Sequence, residues 1–382
     1  MAVFFSPLVL VSTLLHAWIG WRLVPDLAPW PLAQWVLPAW LVVSAVAMPL
    51  GFLRRRAVHG SDADVLTWLG LISMGLFSSL LVFTLLRDVA LLATWLVEQV
   101  WPQAELPGPW VTGSAAAVPL LAGLVTLWGF LNARRTAAVV RVDVPIRDLP
   151  EALDGFTVAQ ISDIHVGPTI RQGYLQRIVD GVNRLDADMV AITGDLVDGR
   201  VPELAAHVAP LAGLSSRHGT YFVTGNHEYY SGAHAWIAEL RRLGVRVLLN
   251  EHVVLRHEEA ALLVAGVADY SAHHFDPTHK SDPRAALRGA PDEARVRLLL
   301  AHQPRSAEAA ANAGFHLQLS GHTHGGQFFP WNFFVRLQQP FTAGLHKLRD
   351  LWVYTSRGTG YWGPPKRFGA PSEITHLRLV RA

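Results

Sequence analysis

Apolar residues along this chain follow two different patterns. In the first third they run almost unbroken through 5–21, 33–53, 65–86 and 111–132, with no Asp, Glu, Lys or Arg inside any run. Each run approaches or reaches the roughly 20 residues needed to cross a bilayer. The third carries Leu, Phe, Ile and Trp68 around its whole circumference, so no face is left for water. The pattern predicts about four transmembrane helices within residues 1–135. Residues 89–97 are apolar but short, and read as an interfacial helix. Beyond residue 135 the pattern changes to short β-branched or apolar runs separated by helical-period segments. Strands are predicted at 157–161, 189–193, 220–223, 245–249, 262–265, 296–301, 316–319, 352–355 and 374–379. Helices are predicted near 172–186, 203–213, 233–243 and 306–313. Such alternation gives a layered α/β domain over 151–382, joined to the helices by a linker at 136–150.

Composition sharpens that division. Only about 10% of residues 1–135 are charged against about 20% of the remainder, while ten of the 14 Trp fall in the first part, several near the ends of the apolar runs. Trp at those places forms the belt expected where hydrocarbon meets headgroup. Arg54, Arg55 and Arg56 follow the second run, and Arg134 and Arg135 follow the fourth. Basic residues beside a span stay cytoplasmic, which puts the α/β domain in the cytoplasm of an inner- or plasma-membrane protein. His16, alone inside the first run, reads as a packing or hydrogen-bonding residue. A net charge of +2 provides no broad basic face, so nucleic acid is excluded as a partner. With no cysteine at all, any metal must be held by nitrogen and oxygen.

Polar clusters fall just past the ends of the predicted strands: Asp163 and His165, then Asp195 with Asp198, then Asn226, His227 and Glu228, then His302, then His322 and His324. Loops at that edge of an open α/β sheet converge on ligands. Seven of these side chains, Asp163, His165, Asp195, Asn226, His302, His322 and His324, can fill two divalent ions if one carboxylate bridges. Alternate residues of an extended segment point the same way, so Asp163-x-His165 and His322-x-His324 can each serve one cluster. Mixed N/O ligation suits Mn, Fe or Zn.

The ordered series Asp163-x-His165, Gly194-Asp195-x-x-Asp198, Gly225-Asn226-His227-Glu228, His302 and Gly321-His322-x-His324 resembles the calcineurin-like metallophosphoesterase superfamily. The Gly325-Gly326-Gln327 extension resembles its bacterial membrane-anchored branch. The resemblance covers roughly residues 140–380 and implies a four-layer αββα sandwich. It also implies that Asp163, His165, Asp195 and His324 hold one metal, that Asp195, Asn226, His302 and His322 hold the other, and that hydroxide between them attacks phosphorus. His227 is the implied acid for the leaving oxygen, oriented by Asp198. The order Asp198-Gly199-Arg200 departs from the related protein phosphatases, where Arg precedes Gly, and weakens a protein-phosphatase reading.

The expected activity is therefore hydrolysis of a phosphodiester or pyrophosphate bond in a phosphorylated small molecule or lipid at the bilayer. The competing reading is a membrane receptor or scaffold with a non-catalytic domain. Arg357 among glycines is a candidate phosphate contact, and Lys366 with Arg367 a candidate surface for headgroups or substrate. The aromatic run from Phe328 to Phe334 lines a groove for lipid if it is exposed, and is core if it is not. His273, His274 and His279 are read as exposed loop residues.

Overall fold

In the computed structural model the described residues are 7–57, 65–101 and 109–382; residues 5 and 6 of the first apolar run lie outside them. The chain forms two compact units, Met1–Leu131 with Gly363–Lys366, and Asn132–Trp362 with Arg367–Ala382.

The first unit is built from α1 (Pro7–Leu23), α2 (Pro31–Ala57), α3 (Val65–Val100) and α4 (Pro109–Arg134). Three of them, α2 over Pro31–Gly51, α3 and α4, are long and apolar enough to cross a membrane. The first predicted span is the shorter α1, whose 17 residues rise about 25 Å against a hydrocarbon core of about 30 Å. Leu, Ile, Phe, Ala and Val side chains pack the interior, among them Ile19, Leu41, Phe77 and Ala122. A Cβ on Gly70 would lie 2.5 Å from the Ala47 carbonyl oxygen, so glycine there sets the close approach of α2 and α3.

One expectation for this unit fails. Residues 89–97 are not a separate interfacial helix: 36 residues run as one helix because no proline interrupts 65–100 and the Arg87–Asp88 step is neutralised by partners. Arg87 pairs with Asp26, donates to Ser114 Oγ at 3.0 Å and is nearly buried. Arg22 is bidentate to Asp88 at 2.9 and 3.0 Å. Arg22 with Asp88 and Arg87 with Asp26 are thus paired at the ends of the apolar runs. His16 follows expectation, with Nε2 3.0 Å from Ser44 Oγ and its ring stacked on Phe77.

The second unit contains β1 (Ala138–Ile146), β2 (Thr157–Ile161), α5 (Gln172–Asn183), β3 (Met189–Ile192), α6 (Val201–Val208), β4 (Thr220–Phe222), α7 (Asn226–Ser231), α8 (Ala233–Arg242) and β5 (Arg246–Val247). It continues through β6 (Glu251–His257), β7 (Ala260–Gly266), β8 (Val296–Leu300), α9 (Ala307–Ala313), β9 (Leu317–Ser320), α10 (Trp331–Val335), β10 (Gly344–Leu348), β11 (Leu351–Thr355) and β12 (Glu373–Arg381). One sheet has the order β1-β12-β2-β3-β4-β5, the other β10-β11-β9-β8-β7-β6. Strand alternation sorts the side chains into layers. Val158, Met189, Leu262, Leu298, Leu319 and Leu377 meet between the sheets. Ile161, Ile192 and Phe222 turn the other way, against Leu175, Val208 and Trp236 of the helices. On the far side Ala265, Leu299 and Val353 pack on Ala307 and Ala310 of α9. This is the expected four-layer αββα sandwich.

The linker expected at 136–150 is a correction. Its residues 138–146 form β1, paired in parallel with β12 from Ala138↔Glu373 to Ile146↔Arg381. The alternation of Val140, Val142 and Val144 with Arg141 and Asp143 is a strand signal that the neighbouring prolines obscured. β6, β10 and the six-residue α7 were also not predicted, and β5 is only two residues long. Within the sheets β2, β3 and β4 run parallel to one another, as do β7, β8, β9 and β11, so each set delivers its loops to one edge.

Candidate metal centre

Every sequence-predicted site residue follows one of those parallel strands, and the loops bring all of them together. Asp163 and His165 follow β2, Asp195 and Asp198 follow β3, Asn226 and His227 open α7 after β4, His302 follows β8, and His322 and His324 follow β9. The ligating atoms fall into overlapping groups: Asp163, His165 and His324; His165, Asp195 and His227; Asp195, His302 and His322. Asp195 belongs to two of them. His165 Nε2 lies 3.1 Å from His324 Nε2, which is 3.5 Å from Asp163 Oδ1. Asp195 Oδ2 lies 3.1 Å from His302 Nε2, which is 3.2 Å from His322 Nδ1.

Local backbone makes this convergence possible. Asp163, His165, Asp195, His322 and His324 all have φ between 51° and 69°, a left-handed conformation disfavoured for residues with a Cβ. Such conformations persist only where surrounding bonds over-determine them. Here those bonds are visible: the His322 N–H donates to Asp163 Oδ1 and Oδ2 at 2.9 and 3.0 Å, and the His227 N–H donates to Asp195 Oδ1 at 2.9 Å. Glu228, wholly buried, accepts from the backbone N–H groups of Gly225, Asp195 and Leu196 at 2.6, 3.0 and 2.8 Å. It ties the β3 loop to the β4 loop. Two glycines are required by space alone. A Cβ at Gly225 would stand 2.2 Å from Asp195 Oδ1, and one at Gly321 would stand 2.0 Å from Ser162 Oγ.

Electrostatics of the cluster suit a cation. His302 Nδ1 donates to the Thr193 carbonyl at 2.7 Å, which leaves Nε2 with its lone pair toward the Asp195 carboxylate. A lone pair facing an anion needs a proton or a metal ion between them. Burial pushes the His302 imidazole down, but the Asp195 and Asp163 carboxylates outweigh it and hold it well above the usual histidine range. Burial likewise raises the Asp195 carboxyl, and the His302, His227 and His165 imidazoles reverse this, leaving it well below the carboxylate range. Burial, reinforced by His302, drives His322 down to about 3. The fit extends to Asn226, whose Oδ1 is buried with no hydrogen-bond partner and is a further oxygen donor at the same edge. Four imidazoles, two carboxylates and one amide oxygen, with no thiolate, suit two divalent ions of the Mn, Fe or Zn kind.

His227, like His322, is not fully buried. Its side chain is 15% exposed, and Nδ1 donates to Asp198 Oδ1 at 2.5 Å while Nε2 sits 4.0 Å from Asp195 Oδ2. The same Asp198 oxygen accepts from His165 Nδ1 at 3.2 Å, so one carboxylate orients two rings. The sequence did not single out the aromatic side chains that flank His227. Tyr230 and Trp362 approach its ring edgewise at 5.2 and 5.8 Å between centroids. Gln327 fixes Trp362 by accepting from its N–H and donating to its carbonyl, both at 2.8 Å. The Gly-Gly-Gln extension was the one available signal for this.

Lys366 and Arg367 are corrected as a surface for headgroups or substrate, and Arg357 is found paired. Arg357 is salt-bridged to Glu373 at 2.8 Å. Arg367 is 1% exposed and forms no surface; it donates to the carbonyls of His324, Arg357 and Gly360, and its Nη2 lies 3.1 Å from His324 Nδ1. Lys366 is 2% exposed, with Nζ donating to the Gly75 carbonyl and Ser79 Oγ at 2.8 and 2.5 Å. Backbone carbonyls and hydroxyls compete effectively for these cations once the aliphatic stems are buried. Of the loop histidines, His274 is exposed, but His273 and His279 are half-buried. Phe329, Trp331, Phe333 and Phe334 are 45–59% exposed, so this run is surface and not core.

Overlapping groups of His and Asp donors at the edge of two facing sheets point to the metallophosphoesterase class, and comparison with known proteins agrees. Residues 156–326 match the calcineurin-like phosphoesterase family. Proteins described as "Transmembrane protein with metallophosphoesterase domain" from Danio rerio and Bos taurus are 40% and 42% identical, over 69% and 71% of this chain. The alignments cover 62% and 64% of those relatives, so the chain spans under two thirds of their length. An uncharacterized metallophosphoesterase of Aquifex aeolicus is 32% identical over 63% of this chain and 91% of its own. The chain belongs to the calcineurin-like phosphoesterase family.

Proposed function

We propose that this protein is a membrane-anchored, dinuclear-metal phosphohydrolase cleaving a phosphodiester or pyrophosphate bond, with the catalytic unit on the cytoplasmic side. The observation that carries the reading is the run of three overlapping donor groups, linked through His165 and Asp195. One ion would be held by Asp163, His165, Asp195 and His324, the other by Asp195, Asn226, His302 and His322. Two bound divalent ions supply Lewis-acid polarisation of the phosphoryl group and activation of water near neutral pH.

The chain's own residues account for the rest. Asp198, by accepting from Nδ1 of both His165 and His227, fixes each ring so that Nε2 faces inward. His227 is partly exposed, so its Nε2 can pass a proton to the departing oxygen. Tyr230 and Trp362 hold that ring between aromatic edges and narrow the access of water. The presence of all seven donors and of His227 favours turnover over a purely binding role as receptor or scaffold.

A lipid-linked substrate is favoured over a soluble nucleotide by the exposed aromatic run. Phe329, Trp331, Phe333 and Phe334 begin two residues after Gln327 and offer apolar surface of the kind that marks contact with membrane or lipid. The test is hydrolysis by the full chain in detergent, with Mn²⁺ supplied, of phosphomonoesters, phosphodiesters and lipid pyrophosphates. Diester or pyrophosphate cleavage that disappears in Asp195→Asn is expected. Equal activity in both proteins refutes the metal mechanism, and preference for monoesters refutes the diester assignment.

A further inference from the structure

Away from the shared-carboxylate clusters, a third set of donors meets in the second unit. His234 stands in the first turn of α8, and Asp276 and His279 lie in the loop between β7 and β8. Their ligating atoms fall within 4.8 Å of one another. Asp276 Oδ2 is 3.0 Å from His234 Nε2 and 3.9 Å from His279 Nε2. Those separations bracket the roughly 3.3 Å edge of a tetrahedron whose metal–ligand bonds are about 2.0–2.1 Å. The other carboxylate oxygen, Oδ1, is already occupied, accepting from the Thr278 N–H and hydroxyl at 2.9 and 2.6 Å. That capping turn aims Oδ2 at the two imidazoles.

The outer partner is also in place. Tyr229 Oη lies 2.8 Å from His279 Nδ1 and 3.4 Å from Thr224 Oγ1. With Nδ1–H donated to the tyrosine oxygen, His279 Nε2 presents its lone pair to Asp276 and His234. Orientation of a ligand imidazole through its far nitrogen is what metal sites require. His279 is only 13% exposed and Asp276 only 20%, so both are held in position, while the 74% exposed His234 is free to complete the set.

We infer that His234, Asp276 and His279 form a separate single-ion site for zinc or a similar divalent transition ion, with water as the fourth ligand. It clips the 272–280 loop to α8 and, through Tyr229, to α7, the helix that carries Asn226 and His227. Phe275 of the same loop lies 5.5 Å from Tyr230, the residue flanking His227, so the clip also braces one wall of the catalytic site. The inference does not depend on the proposed hydrolase activity, because its donors are not shared with the other clusters.

The test compares zinc content per chain for the full protein in detergent, after chelation and dialysis against buffered micromolar zinc. Wild type is expected to hold one zinc more than His234→Ala and one more than Asp276→Asn. His234 is mostly exposed, so its variant folds, and reading the difference cancels any ions in the Asp195 clusters. Replacement by Co²⁺ gives a second readout: wild type minus His234→Ala should leave the visible absorption of one tetrahedral N/O cobalt site. Equal zinc content in wild type and both variants, or no cobalt difference, overturns the proposal.

Discussion

Both units of this protein bury charge, and they resolve it in opposite ways. In the helical unit Arg22, Asp26, Arg87 and Asp88 answer one another, and hydroxyl and carbonyl groups take the remaining donors. In the sheet unit nitrogens point at nitrogens: His165 at His324 and His302 at His322, on backbone twisted into the left-handed region. The first arrangement is complete within the chain and serves stability. The second gathers nitrogen and oxygen donors on strained backbone, the pattern that marks a candidate working site.

The contrast breaks most readily at the sheet-unit end. His227→Ala should lower kcat by about 10²–10⁴-fold for poor leaving groups, and Asp198→Asn by about 10–100-fold, because the first removes the proposed proton donor and the second only its proposed orientation. Steady-state kinetics with leaving groups of graded pKa check this; an equal penalty for good and poor leaving groups would remove His227 from proton transfer.

Arg87→Leu should act on stability and leave turnover alone. Deleting one partner of a largely buried pair, with Asp26 a third exposed, costs roughly 2 kcal/mol. A lower unfolding temperature in detergent, with unchanged kcat per folded molecule, is the expected result. A matching fall in kcat would show that the charged network of the helices is functional as well.

The smallest effect concerns pH. Burial holds His218, His316 and His376 below the usual histidine range. Their folded pKa values being depressed, the unfolded chain takes up protons first as pH falls through about 6.5, so stability present above that value is lost below it. Melting followed by tryptophan fluorescence between pH 7.5 and 5.5 should shift downward, and replacing His316 with Gln should reduce the shift.

Much of the site was legible because each motif sits one or two residues past a run of Val, Ile, Leu or Ala, a local signal that survives without knowledge of the fold. What escaped depended on distant partners. Arg87 finds Asp26 at a separation of 61 residues, and Lys366 finds Ser79 at 287, pairings that no window along the sequence contains. Trp362 reaches His227 only because Gln327 holds it. β1 failed for a different reason: its alternation was present, but the prolines around it were weighed more heavily than the valines within it.

Four residues, Gly363–Lys366, belong with the helices although Trp362 before them and Arg367 after them belong with the sheets. The polypeptide therefore passes between its two halves three times, not once. A version starting at Asn132 keeps Gly363–Lys366 but lacks the helices with which they belong, Gly75 and Ser79 included. Engineering a detached enzyme from this gene would bare Pro364 and Pro365, which line an apolar cavity with Leu71, Ile72 and Leu76 of the helices.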